Sequence, residues 1–405
     1  MGNSIRPTDL YKNFNALIGQ SAGGALAGVD LKDSITVGQA ATMYGYENTL
    51  NALSAQLART LLGVRPYTSR FNLIESDAET YGTFLRKISY FYDDFQPSTD
   101  WNTDITSTQL NDGNSIDEYP IHKRYPLEMN FGGTKVLQKE YTRFLEQLKL
   151  AFSSAEQFDA FYRGEAIQLN NEIQMMKEAE NRALVLNAIG ATYNTGTPYQ
   201  KINLCKLYQD ETGQTIPASN FLSNIQSTGP FIVETIKYLI TLLERPTDLY
   251  HLTPSKTSDA GNKLKLYRHT PRSEQRLLLN SKIQFSMETN VLPFAFHDGY
   301  LKQDAVEYVP YWQTPTDPYA VNLSHTSEFD ISNGMQKDGA AVNLKTVVGV
   351  LFDRSALMTS YRQTDVLTTP VNARGRYYNT AYHWAKDYRY DPTENMIILY
   401  VEDVE

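Results

Sequence analysis

The stretch SSAEQFDAFYRGEAIQLNNEIQMMKEAENRALVLNAIG, residues 153–190, decides how the rest of the chain is read. Ser153 with Glu156 three residues on carries the capping-box signature, in which a hydroxyl and a carboxylate each satisfy a backbone N–H at a helix start. Beyond it Phe158, Tyr162, Leu169, Ile173, Met176, Ala183 and Leu184 recur at helical spacing and draw one apolar stripe. With Gly190 as the stop, Ser154 to Ile189 predicts a helix of about 36 residues, roughly 54 Å at 1.5 Å per residue. Gly164 weakens such a helix by about 1 kcal/mol, so two helices meeting there are the alternative.

Towards the N-terminus the pattern turns to strands. Ile88, Tyr90 and Tyr92 alternate with Lys87, Ser89 and Phe91, and Ile121, Tyr125, Leu127, Met129 and Phe131 fall among polar residues. Between these strands Asp93 to Ser115 is crowded with Asp, Asn, Ser, Thr and Gly and reads as a mobile loop tip. A tip of that length without regular structure is unusual in a compact domain and is commonly functional or disordered. Further back, residues 1 to 65 mix small residues with a short amphipathic stretch at Asn48 to Leu62. This is an arm whose glycine-rich part holds no fixed shape alone.

Towards the C-terminus a loop-like stretch with Pro198, Gly213 and Pro217 precedes a second helix at Phe231 to Leu243, ended by Arg245-Pro246. Strand-like segments follow at Leu264 to Tyr267, Leu277 to Met287 and Ala305 to Tyr311, so the region is α+β. The last sixty or so residues are strand-rich: Lys345 to Phe352, Leu357 to Gln363, Tyr377 to Tyr388 and Met396 to Val401. The sequence shows no internal repeat and no low-complexity tract.

Composition narrows the class. The 405 residues are 41% hydrophobic and 20% charged, which is globular rather than disordered, and long enough for more than one core. A net charge of -9 argues against a main surface that grips nucleic acid, although a locally basic face stays compatible with it. The single cysteine, Cys205, makes no intrachain disulfide and reads as buried packing. MGNSIRPTDL lacks a secretory leader, Arg6 breaks the myristoylation pattern, and the best apolar run, Val347 to Phe352, is far too short to span a membrane. With 28 Tyr and 17 Phe against 3 Trp, the chain favours a side chain suited to surfaces half buried against partners.

Chemical motifs are few. Gly19-Gln20-Ser21-Ala22-Gly23 matches the G-x-S-x-G elbow of serine hydrolases, but eighteen preceding residues cannot supply the earlier strands and oxyanion loop that an elbow needs. The six histidines, His122, His251, His269, His297, His325 and His383, are scattered without metal-ligand spacing. Asp93, Asp94, Asp100, Asp104, Asp112 and Asp117 lack the spacing of a calcium loop and read as solvated charges. With no G-x-x-x-x-G-K-[ST], a nucleotide-driven motor is disfavoured. No catalytic, cofactor-binding or metal-binding residues are assigned, and none of these chemistries asks for a cofactor.

Leu351-Phe352-Asp353-Arg354, then Pro370-Val371-Asn372-Ala373-Arg374-Gly375-Arg376-Tyr377-Tyr378-Asn379 and Tyr382-His383-Trp384, resemble the closing strands of major head proteins of phi29-like podophages. Weaker similarity covers Pro271 to Trp312 and Leu148 to Ala188. The resemblance implies an α+β, HK97-like phage capsid fold with N-terminal arm, extended loop, long spine helix, peripheral and axial domains. It assigns 1–65 to the arm, 66–140 to the extended β-hairpin loop and peripheral strands, and 141–225 to the spine helix and peripheral domain. The axial domain takes 226–344 and returning strands 345–405. No immunoglobulin-like decoration domain is expected after the last strand.

The function implied is a major capsid protein, not an enzyme, that self-assembles into the icosahedral or prolate head shell around double-stranded DNA. Its partners would be itself, in hexamers and pentamers, with a scaffolding protein, a portal, non-specific contact with packaged DNA and no membrane. It would reside in the virion after assembly in the host cytoplasm. Covalent crosslinking occurs in some distant relatives, and Lys87 is the only lysine shortly before the tip. An encapsulin-like nanocompartment shell shares the fold and is the near alternative; a serine hydrolase using Ser21 is the alternative from another class.

Overall fold

The computed structural model describes residues 65–76, 84–92, 119, 121, 123–132, 135–144, 155–257, 263–290, 305–330, 332 and 335–404. The arm, the Asp93 to Ser115 tip and Ser153 of the capping box lie outside them. Two compact units emerge: one of residues 1–69, 135–178 and 362–385, the other of 70–134, 179–361 and 386–405. The long helix, α1 (Ala155–Thr195), carries the chain from the first into the second.

Helix α1 has 41 residues, about 60 Å. It runs through both glycines at which sequence reading breaks or stops it. Gly190 is no stop because it serves packing: a Cβ there would meet Thr326 Cγ2 at 2.6 Å. The helix ends instead where Thr195 Oγ1 donates to Ala191 O and Gly196 N–H to Thr192 O, both at 2.8 Å.

In the second unit the core is a five-stranded sheet, ordered β4 (Lys201–Asn203), β14 (Met396–Tyr400), β11 (Val347–Asp353), β5 (Gln275–Asn280) and β6 (Val306–Val309). β11 runs antiparallel to both neighbours, with Leu351 opposite Ile397 and Leu277. The outer strands pair parallel, β4 on β14 and β6 on β5. Side-chain alternation sends Leu277, Leu279, Ile397 and Leu399 to one face, under α2 (Leu204–Thr212), α3 (Ala218–Phe221), α4 (Ile225–Leu243) and α5 (Ser281–Asn290). Leu278, Phe352, Met396 and Ile398 go to the other, against Val185 and Ile189 of α1, Trp312, and the Phe71–Ile74 segment. Burial on both faces explains why these strands are nearly continuous apolar runs.

Several local readings need correction. Leu277 to Met287 is a strand that turns into α5, because Asn280 Oδ1 accepts the Lys282 N–H at 3.0 Å and opens a helix. Leu264 to Tyr267 forms a single isolated bridge, Lys265 to Tyr92, rather than a strand. The stretch after Pro198 contains α2, capped by Asn203 on the Cys205 N–H and closed by Gly213 at φ 71. α4 starts before Phe231 and holds Pro230 inside it. Small hairpins at β7 (Val321–Leu323) with β10 (Val342–Leu344), and β8 (Thr326–Phe329) with β9 (Gln336–Gly339), were not foreseen.

Candidate assembly surfaces

The expected hairpin exists as β1 (Phe84–Tyr90) and β2 (Pro126–Gly132), paired antiparallel from Phe84 opposite Gly132 to Tyr90 opposite Pro126. Its inner face is held to the second unit by charge. The Lys87 ammonium contacts both the Asp391 and Glu394 carboxylates. Arg268 joins them, 3.6 Å from Glu394, while donating to Ser89 Oγ at 2.8 Å and to the Thr393 carbonyl at 3.1 Å. Asp391 is buried and also accepts the Thr393 N–H at 2.9 Å and its hydroxyl at 2.6 Å. Burial pushes the Glu394 carboxyl above its ordinary range, against the pull of Arg268 and Lys87. Lys87 is thus committed to a structural ion cluster.

The outer face of β1 is different. Ile88 and Tyr90 are 48% and 59% exposed, large apolar side chains turned out to solvent. Tyr92 packs edge-on against Tyr267 at 5.0 Å and donates its N–H to the Lys265 carbonyl at 2.8 Å.

The first unit presents a second surface. Its sheet is β12 (Leu357–Thr368), β13 (Tyr377–Tyr390) and β3 (Lys135–Phe144), with β13 central. Tyr141 donates to Glu172 of α1 at 2.8 Å, Lys139 lies 3.2 Å from the same carboxylate, and Tyr141 meets Tyr382, which stacks on Trp384. The Tyr141 hydroxyl and then Lys139 hold Glu172 below the usual carboxylate range. On the alternate residues Val136 and Leu367 stay exposed. The turn joining β12 to β13 is built by Asn372, whose Oδ1 accepts the N–H groups of Arg374 at 3.0 Å and Gly375 at 2.8 Å. That bond gives the Asn-x-Arg-Gly segment its physical reason.

The residues weighed for chemistry stay apart. Ser21, His122, His297 and the Asp93 to Asp117 carboxylates lie outside the described residues. Cys205 is buried, its thiol pushed up to about 11 by desolvation. His251 is fully buried, bonded to the Leu266 carbonyl at 2.8 Å and Asn395 Oδ1 at 3.3 Å, and burial pulls it down to about 4. Among the described residues no group of three His, Cys, Asp or Glu is poised to hold a metal, and no helix is long and apolar enough to cross a membrane. Sequence reading missed the carboxylate partners of Lys87; the available signal was a lysine in the phase that β2 marks as inward.

Among solved structures, the capsid of Staphylococcus phage Andhra aligns over 85% of this chain and 87% of that one, with TM-score 0.53 and 10% identity. A bacteriophage P68 head fiber and inner core protein structure gives 0.49 at 10% identity, covering 84% and 87%. The capsid of Cyanophage P-SCSP1u gives 0.45 at 10%, covering 86% and 92%. The first alignment shows the α+β, HK97-like capsid fold. No curated protein matches the sequence. The family model for the Phi29-like phage major capsid protein matches residues 25–400, spanning both units and every described strand and helix. With fold and sequence model in agreement over nearly the whole length, the chain belongs to the phi29-like phage major capsid protein family.

Proposed function

We propose that copies of this chain form hexamers and pentamers closing the icosahedral or prolate head of a short-tailed phage around its double-stranded DNA, and that the subunit performs no catalysis. The family match over residues 25–400 carries this reading. In it, residues 1–65 are the arm, 66–140 the extended loop and peripheral strands, 141–225 the spine helix and peripheral domain, 226–344 the axial domain and 345–405 the returning strands. Arm and hairpin tip lie over neighbouring copies, and their ordering is offset by apolar burial at about 25 cal/mol per Å2. The outward Ile88 and Tyr90 support that role for the hairpin. A scaffolding protein and a portal assist assembly in the host cytoplasm, and the subunit ends in the virion. A net charge of -9 suits a lining that holds packaged DNA loosely.

Electron microscopy of the purified full chain, alone and with its scaffolding protein, tests the reading. Closed shells or capsomer sheets are expected. A uniform monomer with esterase activity abolished by Ser21→Ala would overturn it, and enclosed protein cargo in place of DNA would indicate a nanocompartment.

A further inference from the structure

The ion cluster around Lys87 has the parts that an amide condensation needs. Lys87 Nζ touches Oδ2 of Asp391 and Oε1 of Glu394, residues 304 and 307 positions further along the chain. The other Asp391 oxygen, Oδ1, accepts the Thr393 N–H at 2.9 Å and the Thr393 hydroxyl at 2.6 Å. Two donors on one carboxyl oxygen draw electron density from its carbon and stabilise the charge that a nucleophile would place on that oxygen. Glu394 can carry the protons. Burial raises its carboxyl above the ordinary range against the pull of Arg268 and Lys87, so it takes a proton more readily than a surface carboxylate does. The side chains of Asp391 and Glu394 are 1% and 11% exposed, which leaves water little access to reverse the step. Rigid backbone fixes both reacting groups: Lys87 sits in register opposite Met129, and the Asp391 N–H is bonded to the Ala356 carbonyl at 2.8 Å.

We propose that Lys87 and Asp391 of the same chain condense into a side-chain amide. The Lys87 ammonium passes one proton to Glu394, and the freed amine attacks Cγ of Asp391 while Thr393 holds Oδ1. Glu394 relays two protons in turn from Nζ to Oδ2 and ends as the carboxylate it began as. The Cγ–Oδ2 bond then breaks and water leaves. One ammonium and one carboxylate become one amide and one water, with nothing oxidised or reduced. This is a single self-modification per chain, not turnover. The bond is internal to a subunit and joins no copies. It fastens the inner face of β1 to the body while Ile88 and Tyr90 stay outward.

Mass spectrometry of the purified full chain, denatured, tests the bond. The wild-type chain is expected to be lighter than its sequence by one water. Trypsin should release a branched peptide joining 87–123 to 390–405, because an acylated Lys87 is no longer cut. Fragmentation should place the branch at Lys87 and Asp391. Lys87→Arg, which keeps the charge but not the amine, and Glu394→Gln, which keeps the shape but not the proton carrier, should each retain the full mass. Should either variant fail to fold, the wild-type mass and the branched peptide still decide. Wild-type protein at its full sequence mass overturns the proposal. So does a water lost elsewhere, as an imide at an Asp-Gly step, a branch from Lys87 to Glu394, or a ladder of joined copies on a denaturing gel.

Discussion

β1 and β2 are seven-residue strands paired in register, yet their apolar phases point opposite ways. On β2, Leu127, Met129 and Phe131 turn inward and Glu128 and Asn130 outward, the ordinary arrangement for a one-sided sheet. On β1, Ile88 and Tyr90 stand outward, and Lys87 and Ser89 turn in. Pairing permits only one choice: Lys87 faces Met129 and Ile88 faces Glu128, so burying one strand's apolar set exposes the other's. The inward lysine then requires carboxylates, and Asp391 and Glu394 supply them. What differs between the strands is what each is for: β2 holds the hairpin to its own subunit, and the outer side of β1 is kept for something else.

The comparison breaks most sharply at Asp391. Asp391→Ala deletes a buried partner of Lys87 and strands the Thr393 N–H and hydroxyl, and about 3–5 kcal/mol of stability should be lost by chemical denaturation. Hydrogen exchange should show the β1 and β2 amides opening first.

Acid should come next. His251 is neutral when folded, with its pKa near 4, while the unfolded chain takes up the proton near 6.5. Unfolding therefore binds a proton between those values, so stability is full above pH 6.5 and falls as the pH drops towards 4, by on the order of 3 kcal/mol. His251→Gln should flatten that slope in pH-dependent unfolding; an unchanged slope would assign it elsewhere.

Phe131→Ala, inside the β2 phase and under the Arg389 guanidinium at 5.4 Å, should cost about 2 kcal/mol, less than a fully buried phenylalanine because Phe131 is only half-buried. Ile88→Ser and Tyr90→Ser, in the matching phase of β1, should stay within about 0.5 kcal/mol in the unassembled chain. Their effect should appear in shell yield instead, and a large loss of monomer stability would remove the distinction between the strands.

Legibility in the sequence followed the range of the interactions. β11 and β14 were visible because burial on both faces makes an unbroken apolar run, and α1 because its stripe persists over many turns. Gly190 misled because a glycine chosen for a close approach to Thr326 looks like one chosen to end a helix. The Ile283 and Met287 pair, four apart after Asn280, held the signal for α5 that a strand reading overlooked. The outward phase of β1 was not legible, since it depends on carboxylates some three hundred residues later in the chain.

The position of β14 governs timing. It lies between β4 and β11 within the sheet, so a nascent chain leaves β4 without a neighbour until translation passes Tyr400. Nearly two hundred residues separate the paired strands, which makes this closure a late and slow event. The central sheet is therefore completed in an order set by the chain: β4 waits on the last of the five strands to be synthesised.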